Sequence, residues 1–170
     1  KGNEIEFIDL YHNATQIATI ITVSACVILA ILPEQVLWAW TGDMHITTQA
    51  APILRLYAIG NGFLAISAFP YYLQFSKGNL KLHLIGSALF LLFLIPSLLF
   101  ATWRHGALGA GYAWLISNAL YFFIWPPVIH AKIFGKFHKN WLTKNILLVA
   151  TTGIFSAIII NSIPHEIGTR

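Results

Sequence analysis

The stretch "APILRLYAIGNGFLAISAFPYYLQFSKGN" occupies residues 51–79 and is almost entirely apolar or aromatic between Ile53 and Phe75. A helix of that length matches the hydrocarbon thickness of a bilayer, which requires roughly 20 predominantly apolar residues. Arg55 is the exception, because it places a permanent positive charge near the start of the stretch. The segment therefore predicts a transmembrane helix and raises the question of what its arginine does.

The composition of the whole chain supports a membrane protein. Hydrophobic residues make up 57% of the 170 residues and charged residues only 9%, whereas a soluble domain carries about 25% charged residues. A soluble protein this apolar could not cover its surface with polar groups. The lone Cys26 excludes a disulfide framework within the chain. The chain opens on Lys1 without the pattern of a signal peptide, and we expect it to be an internal piece of a longer protein.

The apolar stretches predict an all-α integral membrane protein with five transmembrane helices. The predicted helices span residues 8–32, 51–75, 82–102, 108–131 and 146–163. Pro33 is expected to end the first helix and Pro164 the fifth. The link between the first two helices is the longest, and its "TGD" predicts a helix end or turn. Thr47 and Thr48 are candidates for the N-cap of the second helix.

The basic residues predict the orientation of the chain. With the N-terminus in the cytoplasm, all seven lysines lie on the cytoplasmic side and the three arginines on the outer side. Lysine and arginine are enriched in cytoplasmic loops. The lysines are Lys1, Lys77, Lys81, Lys132, Lys136, Lys139 and Lys144, and the arginines are Arg55, Arg104 and Arg170. This clustering indicates flanks of membrane spans rather than binding of nucleic acid.

The first helix carries a polar stripe in its cytoplasmic half. Asp9, His12 and Gln16 follow one another at i, i+3 and i+4 spacing and so share a face of a helix. Polar groups at membrane depth usually face a bundle interior or a wet cavity. Two interpretations stay open. Either these residues form the polar wall of a cavity open to the cytoplasm, or the helix begins later, near Ala14, and they lie in solvent or headgroups.

The second helix carries the other candidate binding residues. Tyr57 and Asn61 fall on one face, and Arg55 falls on another. Arg55 either extends its guanidinium to the headgroups or points into a cavity and binds an anionic substrate, for which its planar fork is suited. Pro70 is expected to kink the helix.

Packing signals occupy the rest of the chain. Gly109, Ala113 and Ser117 are spaced by four residues, which allows close approach of two helices, and Asn118 is expected to bond across helices. The link "KIFGKFHKNW" at residues 132–141 is expected to lie at the membrane surface. Its aromatic residues Phe134, Phe137 and Trp141 would dip into the membrane. His130 and His138 lack the spacing of metal ligands.

Three segments resemble the polysaccharide-exporting branch of the MOP (multidrug/oligosaccharidyl-lipid/polysaccharide) superfamily, especially O-antigen flippases of the Wzx type. They are "VLWAWTGD" followed by "QAAPILRLYAIGNG", then "FPYYLQFSKGNLKLHL", and then "GALGAGYAWLISNALYF". Each segment alone is loose and apolar, and the resemblance rests on their order and spacing over nearly the whole chain.

The resemblance implies a part of a two-lobe helical bundle that works by alternating access. Residues 1–131 would be the last four helices of the second lobe, and residues 132–170 a basic cytoplasmic linker with one trailing helix. The function implied is translocation of undecaprenyl-pyrophosphate-linked oligosaccharide across the bacterial inner membrane. The implied partners are this lipid, membrane lipids, the remaining helices of the transporter and the polysaccharide polymerase machinery. The resemblance implies no catalytic residue, metal or cofactor, and assigns a cavity role to Arg55.

Two other functions remain open on the sequence. A drug or cation antiporter of the same superfamily should carry a carboxylate deep in a helix, and no Asp or Glu lies in the middle of a predicted span. A membrane subunit that only packs against a partner should carry small-residue stripes without a polar cavity wall. An integral-membrane enzyme would need clustered His, Asp or Glu at membrane depth.

The predicted orientation is tested by labelling cysteines from outside the cell. In the full-length protein, with Cys26 replaced by serine, an impermeant maleimide should label Glu34→Cys on intact cells. It should label Lys139→Cys only after the membrane is opened, because the lysine-rich link faces the cytoplasm. Labelling of position 139 on intact cells would contradict the five-span topology.

Overall fold

The computed structural model describes residues 2–135 and 137–162, and these residues are helical apart from short turns. The helices are α1 (Gly2–Ile31), α2 (Pro33–Thr41), α3 (Met44–Ser76), α4 (Lys81–Phe134), α5 (Phe137–Trp141), a π-helix (Leu142–Leu147) and α6 (Leu148–Ser162). Helices α1, α3 and α4 are long and apolar enough to cross a membrane. The prediction of an all-α membrane protein is confirmed at this level.

The predicted start of the first helix was too late. Helix α1 begins at Gly2, so Asp9 and His12 belong to its first turns and the alternative of a start near Ala14 is wrong. The apolar content alone set the predicted boundary. The polar residues before that boundary are also helical, because residues 3–32 contain no proline or glycine that would interrupt the helix.

The link between α1 and α3 contains a helix of its own. Helix α2 ends in a left-handed Gly42 (φ 66°, ψ 5°) whose N–H donates to the Trp38 carbonyl, which confirms "TGD" as a helix end. The N-cap of α3 is Asp43, whose carboxylate accepts from the N–H groups of His45 and Ile46. The expected cap at Thr47 or Thr48 is therefore wrong, because the aspartate offers its acceptor one turn earlier.

Helix α4 is two helices joined at Gly106. At about 1.5 Å per residue its 54 residues would extend roughly 80 Å, far beyond a hydrocarbon core of about 30 Å. Gly106 has non-helical angles (φ 59°, ψ −144°), and the chain reverses there. The first arm (81–105) and second arm (107–134) pack antiparallel. Phe90 lies against Tyr121 with 5.2 Å between ring centroids, and the two residues are nearly equally far from Gly106 in sequence, as antiparallel arms require.

Glycines set the spacing between α3 and its neighbours. A side chain at Gly60 would collide with Trp114 of the second arm, one at Gly62 with the Sγ of Cys26 in α1, and one at Gly111 would crowd Leu56. Gly111 was not among the small residues predicted to allow close approach; of those, Gly109 does so, because a side chain there would collide with the Ala101 carbonyl of the first arm. Asn118 does not bond across helices as expected, because its Nδ2 donates to the Trp114 carbonyl of the same helix.

The aromatic core lies toward the end of the bundle that carries the lysines. Its buried members are Tyr11, Ile66, Leu73, Phe122, Trp141 and Ile146. The expectation that Phe137 and Trp141 dip into the membrane is wrong, because Phe137 packs against this cluster and Trp141 is 0% exposed within it. The side chain of Phe134 lies outside the described residues. The predicted helix at 146–163 begins as α6 at Leu148, directly after the π-helix, and Pro164 lies outside the described residues.

Replacement of Gly106 tests the reversal in α4. Its φ and ψ values belong to a region that is open almost only to glycine, so Gly106→Asn should lower the free energy of unfolding by about 1–3 kcal/mol. Gly42→Asn is the matched control, because Gly42 is left-handed with ψ near 0°, a conformation that asparagine adopts. Neither position has an atom within 4 Å of an added Cβ. Thermal unfolding in detergent measures both, and equal losses would contradict the assignment.

Candidate functional site

The six candidate residues form two groups at opposite ends of the bundle. Asp9, His12 and Gln16 lie in the first half of α1, whereas Arg55 meets α1 at Ala30. The 18 residues between His12 and Ala30 correspond to about 27 Å of helix. The structure therefore does not bring the two groups into a single site, and each is described separately below.

Arg55 holds the carboxyl end of α1. Its Nε donates a 2.7 Å hydrogen bond to the carbonyl oxygen of Ala30. The last carbonyls of a helix lack intrahelical partners and carry a partial negative charge, which a guanidinium neutralises. This contact is a role that neither sequence interpretation included. Within the described part of the chain, the two terminal nitrogens of Arg55 have no hydrogen-bond partner, and the side chain is exposed.

Trp114 joins the two other candidates on α3. Its indole stacks on the ring of Tyr57 with 6.0 Å between centroids, and its Nε1 donates to the Oδ1 of Asn61 over 3.1 Å. Asn61 remains exposed. The sequence placed Tyr57 and Asn61 on one helix face, and the structure adds the tryptophan of the second arm that orients them.

The candidates on α1 are divided by their surroundings. His12 is half-buried, and its Nδ1 lies 2.6 Å from the Nδ2 of Asn145 in the π-helix. The ring of Phe137 covers it at 4.8 Å. Asp9 is exposed and Gln16 half-buried. Residues of the π-helix thus cover part of the stripe, and extra-turn insertions of this kind are frequent at functional sites.

A buried histidine pair was missed by the sequence analysis. His130, at the end of the second arm, is 0% exposed. Its Nε2 lies 3.0 Å from the hydroxyl of Tyr11, and its Nδ1 lies 2.9 Å from the Nδ1 of His138 in α5. Tyr11 is 119 residues away in sequence, and the 8-residue step to His138 crosses the helix end at Gly135, so no regular helix face predicts the pair. A histidine on each side of Gly135 was the only local signal.

The pair is a hydrogen-bonded relay rather than a metal centre. Two nitrogens that bind one zinc tetrahedrally at about 2.1 Å lie about 3.4 Å apart, farther than the 2.9 Å between these rings. No group of three potential ligands capable of holding a metal occurs among the described residues. One ring must donate and the other accept. When His138 takes up a proton it becomes the donor, and His130 must then donate from Nε2 to Tyr11.

Trp141 closes this end of the bundle. Its Nε1 donates to the Oγ1 of Thr15 over 3.3 Å, and Thr15 in turn donates to the carbonyl of Tyr11. The indole also contacts His130 edge-on, with 4.7 Å between centroids. Every polar group in this contact has a partner, as burial requires. The lysine-rich link is therefore fixed to α1 through its aromatic residues.

Comparison of the chain with models of protein families, with curated proteins and with solved structures found no match in any of the three sets.

The pH dependence of stability tests the histidine pair. Burial lowers the pKa of His138 below its ordinary value of 6.5, so the folded state favours the neutral ring. The contribution of the neutral His138 to stability should be fully present above about pH 7. It should fall as the pH drops through 6.5, because there the unfolded chain binds a proton at this histidine and the folded chain does not. His138→Gln should reduce, without abolishing, the slope of the unfolding temperature against pH between pH 7 and 5, because the fully buried His130 remains in the variant.

The matched control for that variant is His45→Gln. His45 is exposed near the start of α3, far in sequence from the pair, and its loss should leave the pH profile unchanged. A profile that keeps its full slope in His138→Gln would contradict the role of the pair.

Proposed function

We propose that this chain is part of a flippase that moves undecaprenyl-pyrophosphate-linked oligosaccharide across the bacterial inner membrane by alternating access. The proposed crossings are α1, α3, the two arms of α4 and the predicted span at 146–163, five in all. They would belong to one lobe of a two-lobe bundle, with the remaining helices on the same protein. Support comes from the apolar helices, the lysine bias and the placement of Arg55.

Arg55 is the observation that carries the proposal. It lies in an apolar span, where a charge is costly unless it has a function. Its bond to Ala30 fixes the guanidinium through Nε and leaves the two terminal nitrogens, which are the pair that binds a phosphate side by side. The exposure of Arg55 fits binding of an anionic lipid headgroup. Tyr57 and Asn61, two and six residues further along α3 and on a different face from Arg55, would line the passage beside the oligosaccharide.

Contacts at the two ends suit a bundle that rocks as a unit. Arg55 links α1 to α3 at one end. Tyr11, His130 and His138 link α1 to the second arm and α5 at the other end. In alternating access, such a lobe moves as a rigid body against its partner lobe around a fixed substrate. No covalent bond is made or broken. Asp9, His12 and Gln16 would then form the cytoplasmic wall of the passage.

A second function, a subunit that only packs against a membrane partner, is favoured by one observation. Trp114 and Leu56 occupy the space that side chains at Gly60 and Gly111 would need. Close helix packing therefore accounts for these glycines without any transport. A subunit that only packs would not need a charged residue near the start of a membrane span, apart from the bond that Arg55 makes to Ala30. The effect of Arg55 on export distinguishes the two functions.

Export of surface polysaccharide by the full-length protein tests the proposal. Arg55→Ala should reduce surface polysaccharide about tenfold or more at equal protein abundance, the scale of one lost charge-assisted hydrogen bond. Arg55→Lys should retain part of the export, because lysine keeps the charge but lacks the two parallel donors. Arg104→Ala is the control, since Arg104 is also exposed and packs over Trp103. Normal export from Arg55→Ala would refute headgroup binding.

A further inference from the structure

A cavity of about 500 Å³ lies at the lysine-bearing end of the bundle, where the end of α3, the start of the first arm and the end of the second arm meet. It contains none of the six candidate residues discussed above. Three lysines border it, and they are Lys77, Lys81 and Lys132. Leucine and isoleucine side chains border it as well, so the cavity combines cationic groups with an apolar surface.

The lysine side chains are accessible to an occupant of this cavity. All three are exposed, and each ammonium lies at the end of a flexible four-carbon stem and carries three donors. No Asp or Glu borders the cavity in the described part of the chain. Lys77 is already engaged by an aromatic ring, because its Nζ lies 5.6 Å from the centre of Phe7 in α1. Binding in the cavity would therefore depend mainly on Lys81 and Lys132.

The position of Lys81 is unfavourable unless an anion is nearby. Lys132 lies in the last turn of the second arm, where a cation stabilises the partial negative charge of a helix end. Lys81 is the first residue of the first arm, whose first turn contains no acidic residue, so its charge adds to the partial positive charge of a helix start. An anion in the cavity that both lysines border would offset this charge and the repulsion between the two ammonium groups.

The turn between α3 and the first arm brings an amide donor to the cavity. Gly78 is left-handed (φ 67°), and the N–H groups of Lys77 and Asn79 both donate to the Gln74 carbonyl. The Oδ1 of Asn79 accepts from the N–H of Lys81 over 3.2 Å, which leaves the Nδ2 of this exposed, cavity-bordering residue as a donor. A phosphate has several acceptor oxygens, and it can accept from an amide and from ammonium groups at the same time.

The apolar part of the lining favours a lipid over a free ion. Leu82 and Ile85 of the first arm and Ile133 of the second arm border the same cavity, and Ile85 is 43% exposed. The two arms belong to a helix that is long and apolar enough to cross a membrane, so their ends lie where headgroups meet hydrocarbon. A phospholipid has its phosphate on one side of that boundary and its acyl chains on the other. Basic pockets between transmembrane helices bind anionic headgroups of this kind.

We propose that this cavity binds the phosphate of an anionic phospholipid headgroup through Lys81, Lys132 and Asn79, with the acyl chains against the apolar residues of the lining. The lipid would join the end of α3 to both arms of α4. Binding here requires no transport, and the site would exist even if the chain were not part of a flippase.

Native mass spectrometry of the purified full-length protein in detergent tests the choice of ligand. The protein should retain phosphatidylglycerol in preference to phosphatidylcholine with the same acyl chains, because the choline ammonium would be repelled by the lysines. Isothermal titration with inorganic phosphate is the second measurement. Equal retention of the two lipids overturns the proposal. Binding of millimolar phosphate without a preference between the lipids also overturns it, because the ligand would then be a soluble anion.

Variants of matched charge tie the binding to the cavity. The double variant Lys81→Gln/Lys132→Gln should weaken phosphatidylglycerol binding about tenfold or more, since each lysine near an anionic headgroup contributes about fivefold. The control Lys139→Gln/Lys144→Gln removes the same charge from exposed lysines that do not border the cavity, and it should change binding less than about twofold. Equal losses in the two double variants would show diffuse attraction only and overturn the proposal. If the first double variant does not fold, unchanged binding in both of its single variants overturns it instead.

Discussion

The reversal at Gly106 is the constraint on which the bundle depends. A helix of 54 residues cannot fit a bilayer, and lipid offers no partner for backbone groups exposed by a long loop. One residue with φ 59° and ψ −144° turns the chain with almost no loop and returns the second arm beside the first. The surface that the second arm presents to α3 exists only because of this return.

The polar contacts are concentrated at the ends of the helices, where backbone groups lack partners. Arg55 satisfies the end of α1 through Ala30, and Asp43 satisfies the start of α3. At the lysine-bearing end, the relay from Tyr11 through His130 to His138 joins three separate elements. Each of these bonds either joins two separate elements or caps a helix end. Helix propensity, which describes single residues within a helix, therefore does not predict them.

The sequence predicted helix type, order and approximate span well, because apolar length is a direct consequence of the bilayer thickness. It was weaker at boundaries and local chemistry. Thr47 and Thr48 were preferred over Asp43 as caps, and the start of α1 was placed by hydropathy although polar residues continue the helix back to Gly2. The link with Trp141 was assigned to the membrane surface because amphipathicity identifies an apolar face without identifying what covers it.

The sequence by itself determined that the chain is helical, apolar enough for a membrane, and biased in its lysines toward one side. Composition and periodicity carry that information locally. The tertiary structure decided the partners: Ala30 for Arg55, Trp114 for Asn61 and His138 for His130. These pairs lie between 8 and 53 residues apart in the sequence. No local pattern encodes them, since they arise only when helices pack at a particular rotation and depth.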